Sequence, residues 1–327
     1  MIYENLIYGI SIIIFSVIID VIFGEVPNVI HPVILMGNFI DKLKNYLPNT
    51  KISGILTVIT SIFTFSVITL LLLLICAYIN QWLFFIFASL LLSTTFSINF
   101  LIESVKNIQT DLKEDINKAR KSMSYLVSRN TTELTESKIT SAAIETLSEN
   151  ITDSIISPLF YVSFLTIIFS ILIGGYYSII FGIIGAVIYR VSNTMDAMLG
   201  YKTKDLIDIG CYPAKLDDIL NYIPARITGY YVIFSSFILK YDYKQSYDVM
   251  KKYALKTPSP NSGYSMAATA GALNVVLVKE GVYELGYGTD ELTKEKISEA
   301  INLTKVSSLL FILTILIIYF VLIIIAI

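Results

Sequence analysis

Long apolar runs alternate along this chain with polar stretches that hold nearly all of its charge. Residues 5–23, 52–79, 83–102, 155–173, 176–198 and 306–327 each reach the roughly 17–25 residues that a helix needs to cross the hydrocarbon core. The second and third runs are separated only by Asn80, Gln81 and Trp82, which predicts a tight hairpin with the indole at the interface. Gly174-Gly175 marks the turn before the fifth run, which begins at Tyr176. Another apolar segment, 227–239, follows Pro224. With 13 residues it is short for an upright crossing and is expected to be a re-entrant or interfacial helix.

The pattern predicts an all-α, polytopic integral membrane protein with about six spans, read as one membrane domain over 1–327. Polar segments 24–51, 103–154, 190–226 and 240–305 form its cytosolic face. With six spans, all 24 Lys and Arg residues fall on one side of the membrane and both termini on the other. That is an extreme form of the positive-inside bias, so the polar face is assigned to the cytoplasm and the termini to the outside. If 227–239 crossed instead, the nine basic residues from Lys240 to Lys305 would lie outside.

Composition agrees: 55% of residues are hydrophobic and 15% charged, with a mean hydropathy of +0.69. With a formal charge of -2, the balance of charge does not suggest nucleic acid as a partner. Cys76 and Cys211 offer no disulfide framework, and a single histidine, His31, excludes a multi-histidine metal centre. The N-terminal run is expected to be a retained span, since it carries no basic leader or small-residue cleavage motif.

The polar stretches differ in character. Mixed charges over 111–123 suit an ordinary solvated helix face. Between 189 and 226, Arg190, Asn193, Asp196, Lys215, Asp217, Asp218, Asn221 and Arg226 are gathered between two apolar segments, and ionisable groups at a membrane edge call for partners. Arg190, Asn193 and Asp196 recur at helical spacing. Glu145 and Glu149 stand four apart, with Ser141 one turn before and Asn150 and Asp153 after. Like charges at that spacing repel, so either a divalent cation or a protonated carboxyl relieves them, or they are solvated surface acids. The loop 256–263 is stiffened by Pro258 and Pro260, and the small residues from Ala267 to Ala272 permit close helix packing.

Taken together and in order, several of these motifs resemble the adenosylcobinamide-phosphate synthase family of cobalamin biosynthesis, the membrane proteins CbiB or CobD. They are His31-Pro32-Val33 with Gly37, Ser128-Arg129-Asn130-Thr131, and Ala142 to Glu145 through Glu149-Asn150 and Asp153 to Pro158-Leu159-Phe160. Asn193-Thr194-Met195-Asp196 with Gly200-Tyr201 follows. The series continues with Leu216-Asp217-Asp218 through Asn221 to Pro224-Ala225-Arg226, then Ser259-Pro260-Asn261 with Gly263 and Ala270 to Leu273. The sequence departs from the family pattern at Asn130, where aspartate is expected, Lys215 (arginine), Thr257 (histidine) and Met266 (glutamate).

The resemblance implies an ATP-dependent acid–amine ligase. Such an enzyme joins aminopropanol phosphate, or aminopropanol, to a propionate of the corrinoid adenosylcobyric acid, with Mg2+ assisting. A carboxylate must be activated before an amine can displace its oxygen, most simply as an acyl phosphate; that requires cations on phosphate and a base for the amine. Catalytic roles are accordingly expected for Glu145, Asp217, Asp218 and Arg226. Substrate contacts are expected from His31, Arg129, Asn150, Arg190, Asn193, Lys215, Asn221, Ser259 and Asn261, and magnesium ligation from Glu149, Asp153, Asp196, Asp217 and Asp218. Tyr201, Tyr222 and Tyr264 are either rests for the corrinoid edge or interface anchors. No Walker-type or dinucleotide glycine loop is present, so sequence does not locate the nucleotide. An intramembrane Mg-dependent prenyltransferase and a membrane transporter are the rival readings.

Overall fold

The computed structural model describes residues 2–27, 29, 31–174, 177–201 and 203–327. Its helices are α1 (Ile2–Phe23), α2 (Pro32–Tyr46), α3 (Lys51–Ile79), α4 (Gln81–Ser93), α5 (Ile98–Glu114), α6 (Ile116–Ser124) and α7 (Glu136–Ile151). A π-turn at Thr152–Ile156 joins α7 to α8 (Ser157–Leu172). Then come α9 (Ser178–Leu199), α10 (Cys211–Ile238), α11 (Tyr243–Tyr253) and α12 (Ser262–Ala272). A hairpin of β1 (Leu277–Lys279) and β2 (Tyr283–Leu285) precedes α13 (Lys294–Ala326). Among the described residues six helical stretches are long and apolar enough to span a membrane: α1, α3, Gln81–Glu114, Glu136–Leu172, α9 and α13. This is a multi-pass membrane protein of helical architecture. Gly175 and Tyr176, expected at the fourth turn and the start of the fifth span, lie outside the described residues.

Three features refine or add to the sequence reading. The run 83–102 is not one unbroken helix but stops at Ser93 and restarts at Ile98. Ser93, Thr94 and Thr95 donate their hydroxyls to the carbonyls of Leu90, Leu91 and Leu92, offering the backbone an alternative to further helix. Asp20 of α1 then accepts from the amides of Ile98 and Asn99 at 2.9 and 3.2 Å, capping the new helix with a negative charge where its dipole is positive.

The second concerns the segment 227–239: Pro224 lies inside α10, so the segment does not form a separate short helix. A proline has no N–H for the carbonyl four residues back. That carbonyl, on Leu220, accepts instead from the Tyr161 hydroxyl at 2.8 Å. The segment 227–239 is thus mostly the second half of a 28-residue helix, and α10 is not among the span-like stretches. Third, an otherwise all-α chain contains a small antiparallel hairpin, with Leu277 opposite Leu285 and Lys279 opposite Tyr283. Gly281 takes the left-handed conformation its turn requires, φ 70°.

The chain divides into two compact units, one of Met1–Asn99, Ser157–Leu220 and Thr314–Ile327, the other of Phe100–Ile156 and Asn221–Leu313. In the first, the hairpin between α3 and α4 turns on Asn80, whose side chain accepts from the Trp82 amide at 2.7 Å. Helix α9 lies against α8 across Gly182, where a Cβ would come within 2.6 Å of the Val162 carbonyl. Asn49 ties the loop before α10 in place, donating to the Lys204 carbonyl and accepting from the Ile209 amide, each at 2.9 Å.

In the second unit α11 and α12 meet across Gly271, where a Cβ would come within 2.6 Å of the Gln245 carbonyl. Ser246 donates to the Ala268 carbonyl at 2.8 Å across the same seam. The small residues 267–272 therefore do serve close packing. Helix α12 also borders α7 and the hairpin, and that contact sets the hairpin against α7.

Candidate functional site

The expected site residues divide between the units. His31, Arg190, Asn193, Asp196, Lys215, Asp217 and Asp218 belong to the first; Arg129, Glu145, Glu149, Asn150, Asp153, Asn221, Arg226, Ser259 and Asn261 belong to the second.

In the first unit, α9 and the start of α10 carry the polar groups. Asn193 donates to Asp217 at 3.4 Å, and Asp217 is buried. Asp196, one turn beyond Asn193, lies within electrostatic reach of Asp218. Gly200 leaves room for the Asp196 carboxylate over the end of α9, and its amide donates to the Asp196 carbonyl at 2.7 Å. Lys215 is exposed and stands 5.5 Å from the Tyr212 ring centroid.

His31 is the N-cap of α2: its Nδ1 accepts from the Val33 amide at 3.2 Å, with Pro32 at the first helical position. Burial holds its pKa below the ordinary histidine value, with nearby Arg190 acting in the same direction and Glu25 against it. An imidazole that accepts at Nδ1 is kept neutral, which suits a cap.

The second unit holds the most closely bound carboxylate. Glu145 is 3% exposed. Its oxygens accept from Arg129 at 2.9 Å, from Ser141 at 2.8 Å and from the Tyr283 hydroxyl at 2.9 Å. Charge relief for the Glu145 and Glu149 pair therefore comes from a guanidinium 16 residues upstream. Ser141 also accepts from the Val278 amide at 3.2 Å, tying β1 to α7. Burial first, and the Glu145 charge second, push the Tyr283 phenol well above its usual pKa, so it remains a donor.

Asn150 donates to the Thr146 carbonyl at 2.8 Å. Asp153 sits in the π-turn, an element that recurs at functional positions.

Arg226 is held differently. Its guanidinium carbon lies 3.5 Å from the Tyr222 ring centroid and 4.4 Å from that of Tyr264. It donates to the Tyr222 carbonyl at 2.6 Å and to the Asn261 side chain at 3.1 Å. The loop that presents Asn261 is braced by Thr257 donating to the Ser259 carbonyl and by the Ser259 hydroxyl accepting from the Asn261 amide. Tyr222 and Tyr264 thus flank an arginine, a role not anticipated for either.

Among the described residues no group of three or more His, Cys, Asp or Glu side chains could hold a metal ion. Two carboxylates with a neighbouring amide, as at Asp196, Asp218 and Asn193, still suit Mg2+, which keeps several waters and leans on one or two carboxylates plus phosphate oxygens.

Tyr283 is the main residue that sequence reasoning missed. Its signal was Glu280-Gly281 between Leu277-Val278-Lys279 and Val282-Tyr283-Glu284-Leu285, a turn pair between runs of strand-forming residues.

A family described as CobD/Cbib protein matches residues 13–310. The chain is 44% identical over 302 residues to a probable cobalamin biosynthesis protein CobD of Methanothermobacter thermautotrophicus, covering 92% of this chain and 95% of that one. It is 42% identical over 291 residues to the protein of the same description in Methanococcus aeolicus, covering 86% and 88%. For that of Methanothrix thermoacetophila the figures are 37% over 310 residues, 91% and 92%. No solved structure matches. By a match that spans all but the two ends of the chain, this protein belongs to the CobD/Cbib family.

Proposed function

We propose that this protein acts in cobalamin biosynthesis as an ATP-dependent ligase. It would join aminopropanol phosphate, or aminopropanol, to a propionate of adenosylcobyric acid, yielding adenosylcobinamide phosphate from the phosphorylated amine. The observation that carries the reading is Arg226, whose guanidinium rests on the rings of Tyr222 and Tyr264 and donates to Asn261, with no carboxylate partner among the described residues. A guanidinium fork so fixed suits a carboxylate or phosphoryl oxygen pair.

Asp196 and Asp218 would hold Mg2+ with its phosphate ligand, and the ion would supply charge neutralisation on phosphate oxygens. Asp217, oriented by Asn193, is suited to accept the proton that the amine must lose. Glu145 has a fixed orientation and a ready donor in Tyr283, and it positions the hairpin and Arg129. The active face is assigned to the cytoplasm with both termini outside, so a cysteine placed at Lys251 should resist an impermeant thiol reagent in intact cells.

The deciding assay incubates the purified protein with adenosylcobyric acid, aminopropanol phosphate, ATP and Mg2+, with product followed by mass. Adenosylcobinamide phosphate is expected. Its absence, where a working relative makes it, would end the proposal.

A further inference from the structure

Beside the Glu145 network lies a cavity of about 560 Å³, bordered by the loop before α7, the first turns of α7 and the hairpin. This volume is within the range of small-molecule sites. Its charged lining is Arg129, Lys138 and Lys279 against one acid, Glu280. Arg129 is committed to Glu145, and Lys138 reaches Glu280 at 2.7 Å in a pair whose side chains are 49% and 75% exposed. Lys279 has no ion-pair partner among the described residues. The cavity therefore keeps a positive surplus even after Glu145 behind it is counted, and the Lys138–Glu280 pair is exposed enough to exchange partners with little loss.

We infer that this cavity binds a phosphoryl group through Lys138 and Lys279, with Glu280 competing for Lys138. The phosphoryl group belongs either to a nucleotide or to a small amino-alcohol phosphate, and a dianion complements two ammonium groups better than one exposed carboxylate does. The inference deepens the ligation reading, and rests on it for the choice of those two carriers.

The test is calorimetric titration of the full-length protein in nanodiscs with inorganic phosphate, ATP and aminopropanol phosphate in turn. At least one should bind. Lys279→Gln should weaken it about tenfold, as loss of a charged contact does, and Lys279→Arg should restore most of the affinity. Glu280→Gln should tighten binding severalfold, a gain that damage to the fold would not produce. The carrier is whichever of the two organic phosphates responds to both substitutions. Binding of none of the three, or binding indifferent to both Lys279→Gln and Glu280→Gln, overturns the inference. Binding that follows these expectations without amide formation would refute the ligation reading and leave the phosphoryl site standing; amide formation with binding indifferent to the variants would do the reverse.

Discussion

Arg129 and Arg226 are two arginines of the same compact unit with opposite electrostatic surroundings. Arg129 meets a carboxylate that is almost wholly buried, and the pair is closed by Ser141 and Tyr283. Arg226 meets two aromatic faces, a carbonyl and a neutral amide. A guanidinium neutralised by a buried acid is built into the structure. One steadied by rings and neutral acceptors has no carboxylate among the described residues to neutralise it, which is what the proposed anion contact requires. Substituting the two should therefore separate activity from stability.

The largest effect is expected at Arg226. Arg226→Ala should lower amide formation at least 100-fold, the scale of losing a preorganised charged contact to a reacting group. Arg226→Lys should recover little, because an ammonium neither forks nor stacks flat. Both variants should insert and melt like the parent in a detergent thermal-shift assay; an active Arg226→Ala would erase the contrast with Arg129. Asp217→Asn and Asn261→Ala are likewise expected to abolish product without loss of the membrane-inserted protein.

Arg129→Met should act on stability first, by about 3 kcal/mol, since it strands Glu145 in a buried site. Pairing it with Glu145→Leu should return most of the lost melting temperature, because replacing both members of a buried ion pair by apolar groups is often neutral. If the double variant melts as low as the single one, the pair is not the source of the loss. Tyr283→Phe is a milder form of the same experiment. It removes one of three donors to Glu145, for about 1–2 kcal/mol by the same melting measurement.

These contrasts also mark where sequence was readable. The six spans follow from hydropathy because lipid rewards uniform apolar length, and the structure places helices on all six runs. The break at Ser93–Ser97 escapes such counting. Short hydroxyl residues are nearly neutral in hydropathy, and the acid that caps the restarted helix, Asp20, is about 78 residues away. That 227–239 continues a longer helix through Pro224 escapes for a related reason: the carbonyl the proline leaves without a donor is satisfied by Tyr161, 59 residues distant, and no local pattern encodes that. Within the site, Asn193, Asp196, Asp217 and Asp218 were legible as a polar cluster at helical spacing. The Arg129–Glu145 and Arg226–Asn261 contacts were not, because they join different elements. The hairpin that brings Tyr283 to Glu145 had a local signal in Glu280-Gly281 and the strand-forming runs on either side of it.

The smallest expected effect belongs to His31, whose cap depends on a neutral ring. Its pKa is depressed in the folded protein by burial, so the unfolded chain binds the proton more readily. The stabilisation is complete above the unfolded histidine value of about 6.5 and is lost as pH falls through the lower folded value. Protonated Nδ1 can no longer accept from the Val33 amide, and burial disfavours the new charge, with Glu25 acting against that and Arg190 adding a smaller push in the same direction as burial. Melting temperature followed between pH 8 and pH 5 should show a decline that His31→Asn removes, since asparagine can cap through its side-chain oxygen without titrating in that window. Arg226 does not titrate there and has no carboxylate partner among the described residues, so Arg226→Ala should leave the slope unchanged. A slope that survives in His31→Asn would assign the acid sensitivity to another group and leave His31 with the cap alone.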